Sequence, residues 1–110
     1  MAALRRLLAD GADPNQSKDG SPALTLAIRG GHVDSALLLL ASGADPNGRD
    51  VLQWTPIMWA VSLGSVELVE ALIAAGADLQ VRDTMNRSLV QMAGGSKRLK
   101  KLLVQAGAPQ

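Results

Sequence analysis

Residues 69–78 read VEALIAAGAD, and the same pattern returns at 36–45 as ALLLLASGAD, at 4–13 as LRRLLADGAD and, degenerately, at 100–109 as KKLLVQAGAP. The shared glycines are Gly11, Gly43, Gly76 and Gly107, a period near 33 residues. A period in that range marks stacked supersecondary units and takes precedence over the reading of any single element. Each copy predicts a short amphipathic helix stopped by a left-handed glycine that caps its last carbonyls. Asp13-Pro14-Asn15 and Asp45-Pro46-Asn47 then turn the chain into an extended segment, because proline and the residue before it are both disfavoured in helix.

A further helix begins at each Ser/Thr/Pro cluster: SPALTLAIRGG from Ser21, TPIMWAVSLG from Thr55 and a shorter SLVQMAGG from Ser88. One unit is therefore turn, helix, tight glycine turn, helix. Helices this short fall below the ~12–15 residues needed for marginal stability alone in water, so neighbouring units must hold one another. The stripes Leu37, Leu38, Leu40 and Leu68, Val69, Leu72, Ile73 are expected to drive the stacking, each large side chain contributing ~1.5–3 kcal/mol on full burial.

Composition agrees with one small domain. The chain has 110 residues, 47% hydrophobic and 19% charged, too apolar for disorder and too interrupted for a membrane protein. The longest apolar run, ALLLLA at 36–41, is far short of the ~20 residues of a spanning helix. A net charge of +1 supplies no global field toward nucleic acid or anionic lipid. Cysteine is absent, which removes disulfides, thiol catalysis and thiolate metal sites. With no charged-then-apolar leader, an intracellular chain, cytoplasmic or nuclear, or a fragment of a longer one is expected.

These residues resemble the ankyrin repeat, whose unit of about 33 residues opens with T-P-L-H-x-A and ends in a Gly-Ala-Asp type turn. Residues 50–82 match almost throughout, with TPIMWA at 55–60 in place of the opening motif, and residues 17–49 match through GSPALTLAIRGGH and LLLLASGADPN. The resemblance implies an all-α ankyrin-repeat solenoid with short β-hairpin-like turns. It divides the chain into a half repeat at 1–16, full repeats at 17–49 and 50–82, and a shortened capping repeat at 83–110. The motif histidine is replaced by Thr25, Met58 and Gln91, and Gln53 and Asn86 stand where a hairpin glycine is usual. Asn15 and Asn47 occupy the turn position that asparaginyl hydroxylases modify in some family members.

The resemblance also implies a function: binding another protein or peptide through the hairpin tips and the concave face of the first helices, as a monomer. Trp59 falls on the leucine position of the first helix and is expected to fill the core between repeats. Trp54 falls on the projecting turn, where it is expected to stand in water as an anchor. Val51, Leu52, Ser62 and Leu63, with Thr84, Met85 and Arg87 on the next repeat and Arg29 on the preceding one, complete the expected stripe. Contiguous exposed apolar surface marks interaction sites, and tryptophan, methionine and arginine are enriched there. The alternative is that Val51, Leu52 and Met85 pack against one another and only fasten adjacent hairpins. A further alternative makes the chain a structural segment of a longer array or of a multidomain protein.

No catalytic, cofactor or metal site is legible. The lone histidine, His32, has Asp34 and Ser35 close in sequence, but a triad needs side chains converging from separate segments. One histidine without cysteine is no metal cluster, and Gly30-Gly31 and Gly94-Gly95 lack the pattern of a phosphate loop. The charge run SKRLKK at 96–101 places Lys97 and Arg98 in a first helical turn, where cations oppose the macrodipole, with Lys100 and Lys101 beyond. These four are a candidate patch for an acidic ligand or simply a solvated face. Nucleic acid is not the expected partner, since neither a wide basic surface nor a set of stacking aromatics is present.

Overall fold

The computed structural model describes residues 17–18 and 21–109, so the half repeat expected at 1–16 lies outside the described residues. Strands β1 (Ser17–Lys18) and β2 (Ser21–Pro22) pair antiparallel, with Ser17 opposite Pro22 and Lys18 opposite Ser21. Helices follow in pairs: α1 (Ala23–Arg29) with α2 (Val33–Ala41), α3 (Pro56–Leu63) with α4 (Val66–Ala74), and α5 (Leu89–Met92) with α6 (Lys97–Gln105). The first helices α1, α3 and α5 pack in a row, and α2 packs on α4 behind them. This is an all-α solenoid carrying short hairpin turns.

Local chemistry accounts for the boundaries. Pro56 occupies the first turn of α3, where its missing N–H costs nothing. The hydroxyls of Ser65, Ser88 and Ser96 accept from the backbone N–H groups of Leu68, Gln91 and Leu99, each at 3.3 Å, capping α4, α5 and α6. At the far ends Gly43, Gly76 and Gly107 have φ of 97°, 94° and 103°. Beyond them the N–H groups of Ala44, Ala77 and Ala108 reach back to the carbonyls of Leu39, Leu72 and Leu103 at 2.9–3.0 Å. This is the Schellman closure expected of the Gly-Ala-Asp turn.

Neighbouring turns are also laced together. Asn47 Oδ1 accepts from Asp78 N–H at 2.7 Å and its Nδ2 donates to the Gly76 carbonyl at 3.3 Å. Gln80, 33 positions on, repeats half of this by donating to the Gly107 carbonyl at 3.2 Å.

The core is continuous along the array and includes Leu24, Ile28, Ile57, Met58, Leu68, Leu72, Leu89, Leu99 and Leu103. It corrects one expected stripe. On α2 the buried residues are Ala36 and Leu39, whereas Leu37, Leu38 and Leu40 are only half-buried. Four consecutive leucines conceal the helical phase, which the repeat offset carries instead, since Leu39 lies 33 positions before the buried Leu72. On α4 Leu68, Val69 and Leu72 are buried as expected, with Ile73 half-buried.

Candidate interaction surface

Two hairpins built on one plan precede α3 and α5. In the first, Asp50 N–H donates to the Trp54 carbonyl at 3.0 Å and Gln53 N–H to the Asp50 carbonyl at 2.9 Å. In the second, the same bonds join Asp83 to Arg87 at 3.2 Å and Asn86 to Asp83 at 2.9 Å. Each turn needs a left-handed residue, and Gln53 (φ 65°) and Asn86 (φ 60°) adopt it. Glycine would do so without strain.

A carboxylate fastens each hairpin from inside. Asp50, 2% exposed, accepts on Oδ1 from the N–H groups of Leu52 (2.9 Å) and Trp54 (3.0 Å), and on Oδ2 from Trp59 Nε1 at 2.8 Å. Asp83 accepts on Oδ1 from Met85 N–H (2.9 Å) and Arg87 N–H (2.8 Å), and on Oδ2 from Arg87 Nε at 2.7 Å. The Arg87 amide contributes most to holding the Asp83 carboxyl below its usual range. Burial opposes it, and the Arg87 guanidinium and the Met85 amide add to the lowering.

This arrangement corrects the roles expected of the two tryptophans. Trp54 does not stand free on the tip: it is half-buried, packs against the core, and lies with its ring centroid 4.6 Å from that of Trp59 at a 47° tilt. Trp59 is likewise half-buried rather than enclosed between repeats, and the Arg29 guanidinium sits 4.8 Å above its ring. The indole N–H is the reason. A buried Trp requires an acceptor, and Asp50 supplies one at the hairpin base, which draws Trp59 toward the hairpin and makes it a floor for Trp54.

The remaining stripe residues are where exposure was expected. Val51 (61% exposed), Leu52 (52%) and Met85 (73%) sit at the central turn positions, and Leu63 (52%) ends α3. Ser62, Thr84, Arg29 and Arg87 are also exposed. Lys97, Arg98, Lys100 and Lys101 are exposed on α6, whose first turn holds no acid.

Among the described residues no group of three or more His, Cys, Asp or Glu side chains could hold a metal, and no helix is long and apolar enough to cross a membrane. His32 is exposed at the start of α2, its ring lying over Gly30, where an added Cβ would come within 2.7 Å of it.

Sequence reading missed Asp50 and Asp83, which the hairpins depend on, and Arg49 and Arg82 beside them. Arg49 Nη1 donates to the Gln53 carbonyl at 2.7 Å and Arg82 Nη1 to the Asn86 carbonyl at 3.0 Å. The available signal was the dipeptide Arg-Asp, which recurs at 49–50 and 82–83 at the repeat offset.

A family model for ankyrin repeats matches residues 1–83 with three copies, and the chain belongs to the ankyrin-repeat family. It is 36% identical over 87 residues to human ankyrin repeat domain-containing protein 63, a match covering 77% of this chain and 23% of that protein. It is 34% identical over 107 residues to the putative ankyrin repeat protein FPV014 of fowlpox virus, covering 94% of this chain and 24% of that one. A fission-yeast (Schizosaccharomyces pombe) protein, glycerophosphocholine phosphodiesterase gde1, is 33% identical over 92 residues, covering 82% of this chain and 8% of its own length. The chain thus spans less than a quarter of each of these relatives.

Proposed function

We propose that the chain is a non-catalytic interaction module that binds another protein or peptide, as a monomer inside the cell, across its hairpin tips and first-helix face. Its repeats divide at 17–49, 50–82 and 83–110 after an N-terminal half unit. The supporting observation is that adjacent hairpins, braced by buried carboxylates, hold Val51, Leu52 and Met85 more than half exposed. Rigid presentation of this kind lowers the entropy lost on binding. Ser62 and Leu63 at the far end of α3 carry the surface along the first-helix face, Thr84 shares the second tip, Arg29 and Arg87 set register, and the Trp54–Trp59 pair forms the floor rather than the anchor.

The test is capture of partners from native extract by the immobilised chain. A Leu52→Ser/Met85→Ser double variant, whose altered side chains face water, should melt as the parent does and lose the captured proteins. Unchanged capture would remove the tips from the interface. Trp54→Ala should weaken capture and lower the melting temperature together, because it takes away the ring stacked on Trp59; loss of capture alone would restore Trp54 as a free anchor. A Lys100→Glu/Lys101→Glu variant that alone lost capture would move the site to α6.

A further inference from the structure

Arginines recur along the hairpin edge. Arg49 and Arg82 lie on the two hairpins, Arg87 follows the second, and Arg29 reaches over Trp59 from α1. The carboxylates on the same edge, Asp50 and Asp83, are buried and consumed by the hairpin amides, Trp59 and Arg87. The acids of the helices, Asp34, Glu67 and Glu70, sit on α2 and α4, the second row. Among the described residues Arg29, Arg49 and Arg82 have no carboxylate partner.

The two hairpin arginines are each tied back by one hydrogen bond. Each spends one nitrogen on the carbonyl of the left-handed residue, 33 positions apart like the hairpins themselves. The rest of each guanidinium, a planar fork suited to a carboxylate, remains available. Leu52 and Met85, exposed and apolar, stand at the turns of the same two hairpins.

We infer that this edge is shaped for an extended peptide segment that intersperses acidic with apolar residues, its carboxylates meeting Arg49 and Arg82 and its apolar side chains meeting Leu52 and Met85. The inference rests on the interaction reading above and adds the chemistry of the partner. Spacing can be stated as well. Packed helices lie ~8–10 Å apart, and an extended chain of polyproline type advances ~3.1 Å per residue with three residues per turn, so carboxylates about three residues apart fall on one face at a matching distance. Apolar tips on the same hairpins as the cations favour such a segment over nucleic acid, whose phosphate backbone offers them nothing to cover.

The experiment selects binders from a display library of random twelve-residue peptides on the immobilised chain, then measures the winners by fluorescence anisotropy. Peptides with Asp or Glu at a spacing of three, interleaved with Leu, Ile or Phe, should be enriched. They should bind the Arg49→Gln/Arg82→Gln variant roughly tenfold more weakly, as loss of charge-assisted contacts implies, and raised salt should weaken binding to the parent. Circular dichroism of the variant checks that the hairpin change has not unfolded the array. Should Gln unsettle the hairpins, Arg49→Lys/Arg82→Lys keeps the charge while removing the fork, and must still weaken binding.

Enrichment of neutral or basic peptides, no enrichment at all, or equal affinity for the arginine variants overturns the inference. So does tighter binding of a single-stranded oligothymidine than of any selected peptide. Winners that are neutral yet lost on Leu52→Ser/Met85→Ser would sink the acidic partner while leaving the interaction surface intact, which separates the two claims.

Discussion

One helical position is occupied in three ways. Met58 accepts from the Thr55 N–H on its sulfur at 3.2 Å, and Gln91 accepts from the Ser88 N–H on Oε1 at 2.9 Å, so both cap their helix from the third residue. Thr25 does neither, and its buried hydroxyl has no hydrogen-bond partner among the described residues. Sequence showed the substitutions but not that sulfur and amide reach the same backbone donor. The hairpins allow a sharper test. Gln53 holds a left-handed φ that costs a side-chain-bearing residue ~1–2 kcal/mol, and asparagine tolerates it better. Gln53→Gly should therefore stabilise the protein by about 1 kcal/mol, against the entropy that glycine adds to the unfolded chain. Asn86→Gly should gain less. Urea denaturation of both variants decides it, and equal gains would contradict the ranking.

At the scale of elements, the hairpins make stability depend on acidity. The Asp83 carboxyl is held below its ordinary value by the Arg87 amide first, and by the guanidinium and the Met85 amide besides. A group with a lowered folded pKa contributes stability that is complete above its unfolded value, ~3.9 for aspartate, and is lost as pH falls through the folded one. Melting temperature should thus drop between about pH 4 and the lower folded value, and Asp83→Asn should flatten that limb while lowering stability at neutral pH. A variant with an undiminished acid limb would assign the loss to other carboxylates. The sequence disclosed where helices begin and end because proline, serine and glycine act locally. It did not disclose that Asp50 reaches nine residues along to Trp59, a contact made only once hairpin and helix are assembled. That long reach is why the surroundings of the tryptophans are not legible in the sequence, while the exposure of Val51, Leu52 and Met85 follows from the turn itself.

Across the whole molecule, the same core runs from α1 to α6, so damage in one repeat is felt by its neighbours. Leu72 is fully buried on α4, which packs on both α3 and α2. Leu72→Ala should cost ~2–5 kcal/mol, enough to remove much of the stability of a domain this small. Unfolding followed by circular dichroism and by tryptophan fluorescence should shift together, as a single cooperative transition requires. If fluorescence, which reports Trp54 and Trp59, moved while helicity stayed, the repeats would be melting one at a time. The period legible at Gly43, Gly76 and Gly107 was sufficient for this architecture, because stacking is the one arrangement in which such short helices are stable.

The side chains that brace each hairpin are not those that crown it. Asp50 and Asp83 grip main-chain amides, which every residue but proline possesses, so the identities at 51, 52, 84 and 85 carry little weight in folding. Recognition can therefore drift under selection, or be rewritten in the laboratory by randomising those four codons, while the scaffold beneath is inherited unchanged.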